Sequence, residues 1–546
     1  MLESFRNPPA GYGPIPFYWW TGEKLSVERI AEQLDEIRAA GFSGVNINYT
    51  HTAPGYTYLG DPPLFSDAWW DLWGKVVDEV AKRGLTIGFD DYLVTHGSAE
   101  RAAVGSKIIR DAPEIAGQFL RQRCDTVRAG QRYPLKELRR ENIVTARAYS
   151  LKAGRIDAEV SVDLVALSHS NRETWQATNG DWYVSIVYTE TQPYGVMNPL
   201  YAQKVIEYYF EPFEKHSHGQ IGKAVNYFFQ DELIFGGSMP YWSPDFAARF
   251  LKMKGYDIVP ELSALFTHLG DRTIKIRLDY YDVATQLMED AYFIPIYDWC
   301  QSRGVIYGHD QASRADVIDG VRYYGDYFRA LRWYQAPGTD RMPILSRGKV
   351  VSSISHLYNR PRTWFEAYHS QGWGVTPAQI TEWDYAALIY GYNLFSYHSC
   401  YYTTLGGWWE WAPGDITFRQ PYWSYFSDHY QELKRLSYLL SQGKHQCDVA
   451  VLFPTSTIQA DMNGPIPGQY AQEAKKTMDF TEPLFKEHSS DFIYMDDESM
   501  ARAKVKDGTL LIAGASYKIV ILPAVRFIRH ATLDKLFQFY QQGGKV

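Results

Sequence analysis

Pro16-Phe17-Tyr18-Trp19-Trp20, Gly44-Val45-Asn46-Ile47-Asn48-Tyr49 and Leu85-Thr86-Ile87-Gly88-Phe89-Asp90-Asp91 are three apolar runs of strand length. Two stretches of helical periodicity separate them. The first follows Ser26, a residue type that caps helix N-termini, and carries Val27, Ile30, Leu34 and Ile37 on one face before Gly41. The second follows Ser66 and carries Trp69, Leu72, Trp73, Val76, Val77 and Val80 before Gly84. A β-α-β-α-β alternation with short connections predicts a parallel sheet.

Beyond Asp91 the rhythm breaks and then returns. From about 113 to 190 the β-like runs 143–149, 160–164 and 182–188 are divided by charged and glycine-containing turns. They predict a small β-rich insertion after the third strand. A helix near 198–215 leads into a fourth strand, Ala224-Val225-Asn226-Tyr227-Phe228-Phe229-Gln230-Asp231-Glu232, which stops on two carboxylates. After a long helical region (about 244–302) the fifth strand is expected at 305–310 and the sixth at 331–336. The seventh, 362–367, carries Glu366. A helix over 376–390 precedes the eighth, 393–398. The expected fold is therefore a (β/α)₈ barrel over residues 1–445, with 113–190 as its insertion. The apolar runs 448–454 and 517–523, with a helix over 529–542, predict the start of a flavodoxin-like α/β domain over 446–546. Gly543-Gly544-Lys545-Val546 stands where another strand begins, so the chain is expected to be a fragment of a longer protein.

Composition narrows the function. A net charge of −8, with no basic stripe, argues against a general nucleic-acid or acidic-membrane binder. No apolar stretch approaches a membrane span, and residues 1–7 lack the basic and apolar regions of an export signal. A soluble, cytoplasmic protein is expected. Cys124, Cys300, Cys400 and Cys447 show no metal or disulfide spacing. Aromatic residues make up 16% of the chain, enough to fill a large core and to line a sugar site as well.

Barrel active sites sit at the C-terminal ends of strands. Those ends supply Trp19, Trp20, Asn48, Asp90, Asp91, Asp231, Glu232, His309, Asp310, Gln335, Glu366 and His398. His96 in the loop after the third strand, Trp373 after the seventh and Trp408 after the eighth are further candidates for holding a sugar. The set contains no zinc-protease, serine-hydrolase, phosphate-loop or dinucleotide motif. It does contain two glutamates, Glu232 and Glu366, on strands that lie nearly across the barrel mouth. Glycosidic cleavage needs such a pair: one acid to protonate the leaving oxygen, one carboxylate to activate water or to attack carbon. Asn46, Asn48, Asp90 and Asp91 offer oxygen ligands without calcium-loop spacing, so the metal set stays open and no cofactor is required.

The runs Phe5-Arg6-Asn7-Pro8-Pro9, 16–20, Gln33-Leu34 and Gly41-Phe42-Ser43-Gly44-Val45 together resemble the N-terminal signature of the family 106 α-L-rhamnosidases. Tyr194-Gly195-Val196-Met197-Asn198-Pro199 and Phe228-Phe229-Gln230-Asp231-Glu232 are similar to that family's approach to its fourth strand. Phe365-Glu366-Ala367-Tyr368, Gly372-Trp373-Gly374 and Tyr390-Gly391-Tyr392-Asn393 with His398 are similar to its seventh and eighth. The resemblance spans about 5–450. It implies an exo-acting, inverting glycoside hydrolase on plant glycosides or polysaccharides, with Glu232 as general acid, Glu366 as general base, and calcium as a possible active-site ion. The chain departs from the family after strand three: where the family pattern is an acidic residue and then Trp-Pro-Ser-Gly, this chain has Asp91 and then Val94-Thr95-His96-Gly97. A retaining, β-galactosidase-like enzyme with Glu366 as nucleophile and a non-catalytic carbohydrate-binding barrel are the alternatives. Nothing in the sequence fixes the oligomeric state.

Overall fold

A computed structural model describes residues 2–49, 60–90, 94, 103–170, 172–311, 313–340, 347–369, 371–405 and 416–546. Eight parallel strands form its centre: β1 (Ile15–Trp19), β2 (Gly44–Asn48), β3 (Thr86–Asp90), β4 (Val225–Leu233), β5 (Ile306–Gln311), β6 (Gly338–Thr339), β7 (Trp364–Ala367) and β8 (Leu394–Tyr401). They pair in the order β5-β4-β3-β2-β1-β8-β7-β6. One parallel bridge, Gly308 to Ala336, brings β5 to β6, so the ring is nearly closed.

Strand alternation decides what fills the barrel. Ile15, Phe17, Tyr227, Phe229, Trp364 and Leu394 point inward and form one buried cluster. Burying each such side chain contributes roughly 1.5–3 kcal/mol. Two inward glycines leave room for the largest rings: a Cβ on Gly88 would meet the Tyr227 ring, and one on Gly308 the Trp364 ring. The alternate residues, among them Tyr18, Ile47, Phe89 and Phe228, face the surrounding helices. Ser26 and Ser66 cap helices Val27–Ala39 and Asp67–Lys82 as their side-chain chemistry dictates.

The sixth strand differs from its expected position. Residues 331–336 are not a strand: Leu331 ends the helix Tyr327–Leu331, and the turn that follows packs Tyr334 on Tyr307. Apart from the single bridge at Ala336, the ladder begins only past Pro337, where Gly338–Thr339 pairs with β7. The apolar character of 331–336 serves helix packing, which periodicity over six residues cannot tell from a buried strand.

Four strands between β3 and β4, joined by Tyr241–Trp242 after β4, form a five-stranded antiparallel sheet in the order Tyr241–Trp242, Gly117–Val127, Trp182–Gln192, Ile143–Lys152, Arg155–Asp163. After the barrel, β9 (Val449–Leu452), β10 (Ile493–Met495) and β11 (Ile519–Ile521) form a parallel sheet in the order β10-β9-β11. Among the described residues no helix is long and apolar enough to cross a membrane.

Candidate active site

The inward positions at the C-terminal end of the barrel are polar where those below are apolar. β1 supplies Trp19, β2 Asn48, β3 Asp90, β4 Asp231 and Glu232, β5 Asp310, β7 Glu366 and β8 His398. The structure brings these eight predicted residues to one end of the barrel.

Two successive carboxylates reach this site because β4 is irregular. Its register against β5 shifts between Gln230 and Leu233, and Glu232 sits in the left-handed region at φ 44°. A bulge of this kind re-aims a side chain that strict alternation would turn away. The Glu232 backbone N–H donates to Oδ1 of Asp310 at 2.7 Å, which holds the bulge. Asp231, Asp310 and Glu366 are buried, and each places an oxygen within 4.8 Å of the other two.

Arg314 counters this charge. It pairs with Oε1 of Glu232 and, at 2.8 Å, with Oδ2 of Asp340. Burial works against its charge, but Asp310, Asp340 and Glu232 outweigh that and hold it firmly protonated. Burial pushes the Glu366 carboxyl well above the usual range, and Asp340 adds to the effect. Asp231 is raised by burial and by Asp90, Glu366 and Asp310. Asp310 is raised by burial and by Asp340 and Glu366. His398 Nε2 lies 2.8 Å from Oε1 of Glu366. Burial lowers His398 to about 3, so the contact joins a neutral imidazole to the carboxyl group. Asn48 donates its amide to Asp90. Trp19 stacks on Tyr401, with ring centroids 6.4 Å apart.

Three expected ligands face elsewhere. Trp20 points outward and packs among Tyr49, Trp69 and Trp73 in the helix layer. His309 also points outward, one residue out of phase with Asp310, with its ring against Tyr334 at 4.3 Å. Gln335 precedes β6 at the other end of the barrel, where its amide accepts from Tyr307 N–H and donates to the Tyr297 carbonyl. Trp373 is exposed on the connection after β7. Asp91, His96 and Trp408 lie outside the described residues.

Arg314, Asp340 and His369 were not anticipated. Asp340 follows β6, whose displaced assignment hid it. Arg314 follows β5 in a connection with no sequence signature. His369, lowered by burial to about 4, sets its ring edge-to-face on His398 at 4.8 Å.

The donor set suits a hard cation. Among the described residues, Oδ2 of Asp310, Oδ1 of Asp340 and Oε2 of Glu366 are buried without a hydrogen-bond partner. Two of these, on Asp310 and Glu366, belong to the trio with Asp231 whose oxygens converge, and converging carboxylate oxygens are what calcium takes.

A family model described as alpha-L-rhamnosidase, glycoside hydrolase family 106, matches residues 196–546. This chain belongs to glycoside hydrolase family 106. The matched region holds β4 to β8 and therefore every acidic residue of the site except Asp90. A curated relative of this family 106 chain, a putative beta-glucuronidase of Formosa agariphila, is 22% identical over 614 aligned residues. That alignment takes in the whole chain and 49% of the relative, so the chain spans about half the relative's length. Among solved structures, a rhamnosidase from Novosphingobium sp. PP1Y superposes with a TM-score of 0.66 at 13% identity, over 98% of this chain and 68% of that one. The GH42 β-galactosidase Gan42B from G. stearothermophilus superposes with a TM-score of 0.55 at 12% identity, over 97% and 70%. At these identities the likeness is one of fold.

Proposed function

We propose that this chain carries the catalytic barrel of an exo-acting, α-L-rhamnosidase-like glycoside hydrolase. Its substrate is a carbohydrate, a plant glycoside or polysaccharide in the family reading. Glu232 and Glu366 work from the ends of β4 and β7. The observation that carries this reading is the convergence of both glutamates on one buried acidic cluster, reached by a bulge that aims Glu232 into it. In an inverting reaction Glu366 takes a proton from water, whose oxygen attacks the anomeric carbon. The glycosidic C–O bond breaks, and Glu232 gives its proton to the departing oxygen. His398, neutral and in contact with Glu366, orients that carboxyl group. Trp19 offers an apolar face to the sugar ring. A calcium ion, if bound, would be held by Asp231, Asp310 and Glu366, neutralising their charge and offering coordination to sugar hydroxyls.

A second reading exchanges the two roles. One observation favours it: burial holds the proton on Glu366, whereas Glu232 carries a guanidinium on its carboxylate. Leaving-group dependence separates the two. A variant lacking the acid keeps its rate on an aryl glycoside whose phenol leaves without protonation, and loses it on a poor leaving group. Under the first reading Glu232→Gln behaves so, and Glu366→Gln loses at least about a hundredfold on both substrates. Parental rates in both variants would sink the catalytic assignment altogether. Proton NMR of the first-formed anomer decides inversion against retention with Glu366 as nucleophile.

The same reading takes 113–190 as an insertion of the barrel and 446–546 as the opening of a flavodoxin-like domain. The parallel order β10-β9-β11 supports the latter.

A further inference from the structure

At the end of the barrel opposite the carboxylates lies a cavity of about 540 Å³. Its walls come from the turns before β7 and β8, from residues 440–445, and from Ala513, Ala515 and Tyr517 of the C-terminal region. It therefore sits at the joint between the barrel and the sheet that follows. Pockets of this size at such joints are common ligand sites.

The lining chemistry is one-sided. No lining side chain is acidic among the described residues, although the chain has 63 Asp and Glu and a net charge of −8. Arg360 and Lys444 supply two positive charges, and neither pairs with a carboxylate among the described residues. Arg360 donates from Nη1 to the Tyr297 hydroxyl at 2.5 Å, while its buried Nε has no partner. Lys444 donates only to the side chain of Asn359, at 2.6 Å. His445 sets Nε2 on Asp491 at 2.6 Å, a carboxylate also held by Lys349, and leaves Nδ1 buried and unpartnered.

Helix capping does not account for these cations. Three helices end here, Gly348–Leu357, Pro377–Ile389 and Ser427–Leu440. Their last carbonyls are taken by backbone N–H groups: Arg360 to Ser355, Tyr392 to Ala387, Gly391 to Leu388 and Ser441 to Ser437. The Arg360 and Lys444 side chains are left over. A half-buried guanidinium with an N–H left over and an exposed lysine on the same cavity wall, neither paired with a carboxylate, form a cradle for an oxyanion. Asn359, Ser441 and Gln442 add amide and hydroxyl groups of the kind that hold sugar hydroxyls.

We propose that this cavity binds a monosaccharide-sized anion, a sugar carrying a phosphate, sulfate or carboxylate group, through Arg360 and Lys444. The site is independent of the catalytic reading of the opposite end. By bridging the barrel and the C-terminal region, the ligand stabilises their joint.

Isothermal titration of the whole chain with glucose 6-phosphate, glucose 6-sulfate and glucuronate tests this and separates the three sources of the anion, with glucose as the neutral control. At least one anionic probe is expected to bind saturably and to raise the melting temperature. Lys444→Met and Arg360→Met should each weaken it about tenfold or more, the loss of one charge-assisted contact. Lys444 is exposed, so its replacement leaves the fold intact. The proposal is overturned if no anionic probe binds saturably, if both variants bind like the parent, or if glucose binds as well as the anions.

Discussion

The backbone N–H of Glu232 donates to Oδ1 of Asp310 at 2.7 Å, so the carboxylate that ends β5 holds the bulge that ends β4. Without that acceptor, Glu232 has no reason to stay at φ 44°, a conformation costly for a residue with a Cβ. Asp310→Ala is expected to lower kcat about a hundredfold, the size of effect that misplacing a catalytic group by about an ångström produces. Asp310→Asn keeps an acceptor oxygen and should lose less. Equal losses in the two variants would show that charge, not the hydrogen bond, is what Asp310 supplies.

Protons and a divalent cation compete for the acidic cluster. Asp231, Asp310 and Glu366 hold protons above their ordinary range. Groups raised in this way favour the fold while protonated. Their contribution is complete below about pH 4, the unfolded value, and is lost as pH rises through the folded values. A bound cation takes over from the protons and releases them. Calcium should therefore raise the melting temperature more at pH 8 than at pH 5. At one hundred times its Kd the gain is about 2.7 kcal/mol. Calorimetry in two buffers of different ionisation enthalpy should register the released protons. The absence of any calcium-dependent shift at pH 8 counts against the three-carboxylate site.

Behind β7 and β8 a single buried carboxylate serves both strand ends. Asp384 accepts from the Tyr368 hydroxyl, from the Tyr397 hydroxyl at 2.5 Å, and lies 2.8 Å from His429 Nε2. Tyr368 follows Glu366 by two residues, and Tyr397 precedes His398. Asp384→Leu strands three buried polar groups and is expected to cost roughly 3–5 kcal/mol of stability. Asp384→Asn keeps the volume and one acceptor. In that variant kcat should fall several-fold with KM nearly constant, because the anchors of Glu366 and His398 move and the mouth of the site does not. Steady-state kinetics of Asp384→Asn, with thermal melts of both variants, check this.

How much of this was legible follows from what each residue's neighbours demanded. β1 to β5, β7 and β8 were visible because apolar alternation and turn residues agree there. β6 was not, since two residues, Gly338 and Thr339, carry no periodicity, and the apolar run before them packs a helix. Asp340 was lost with it. His309 and Trp20 were misplaced by one step of the strand period, for strand ends alone do not say which residues face inward. Glu232 was assigned to the site despite that same rule, and only the bulge explains how it and Asp231 both get there. Arg314 answers to carboxylates distant in sequence, from β4 and past β6, and such long-range charge pairing leaves no local trace.

The last relationship ties the C-terminal region to the barrel mouth. Glu482, on the helix Gln469–Glu487, accepts from the backbone N–H of Gly348 and of Lys349 at 2.9 and 3.1 Å. It thereby caps the helix that follows the connection after Asp340. On the same helix, Lys475 reaches Asp316 at 2.5 Å and Asp479 reaches Arg347 at 2.7 Å. Burial pushes Glu482 up to about 7. Its folded pKa is raised, so its stabilisation is complete below about pH 4.5 and is lost as pH rises through 7. The loss across that window is on the order of 3 kcal/mol. Glu482→Gln cannot titrate, so its melting temperature should fall less steeply than the parent's between pH 5 and pH 8. Turnover should also drop in Glu482→Ala and recover in part in Glu482→Gln, which keeps one acceptor for the start of the helix Gly348–Leu357. Parallel pH profiles for parent and Glu482→Gln would instead mean that this carboxyl group stays ionised and that the helix cap, not burial, sets its charge.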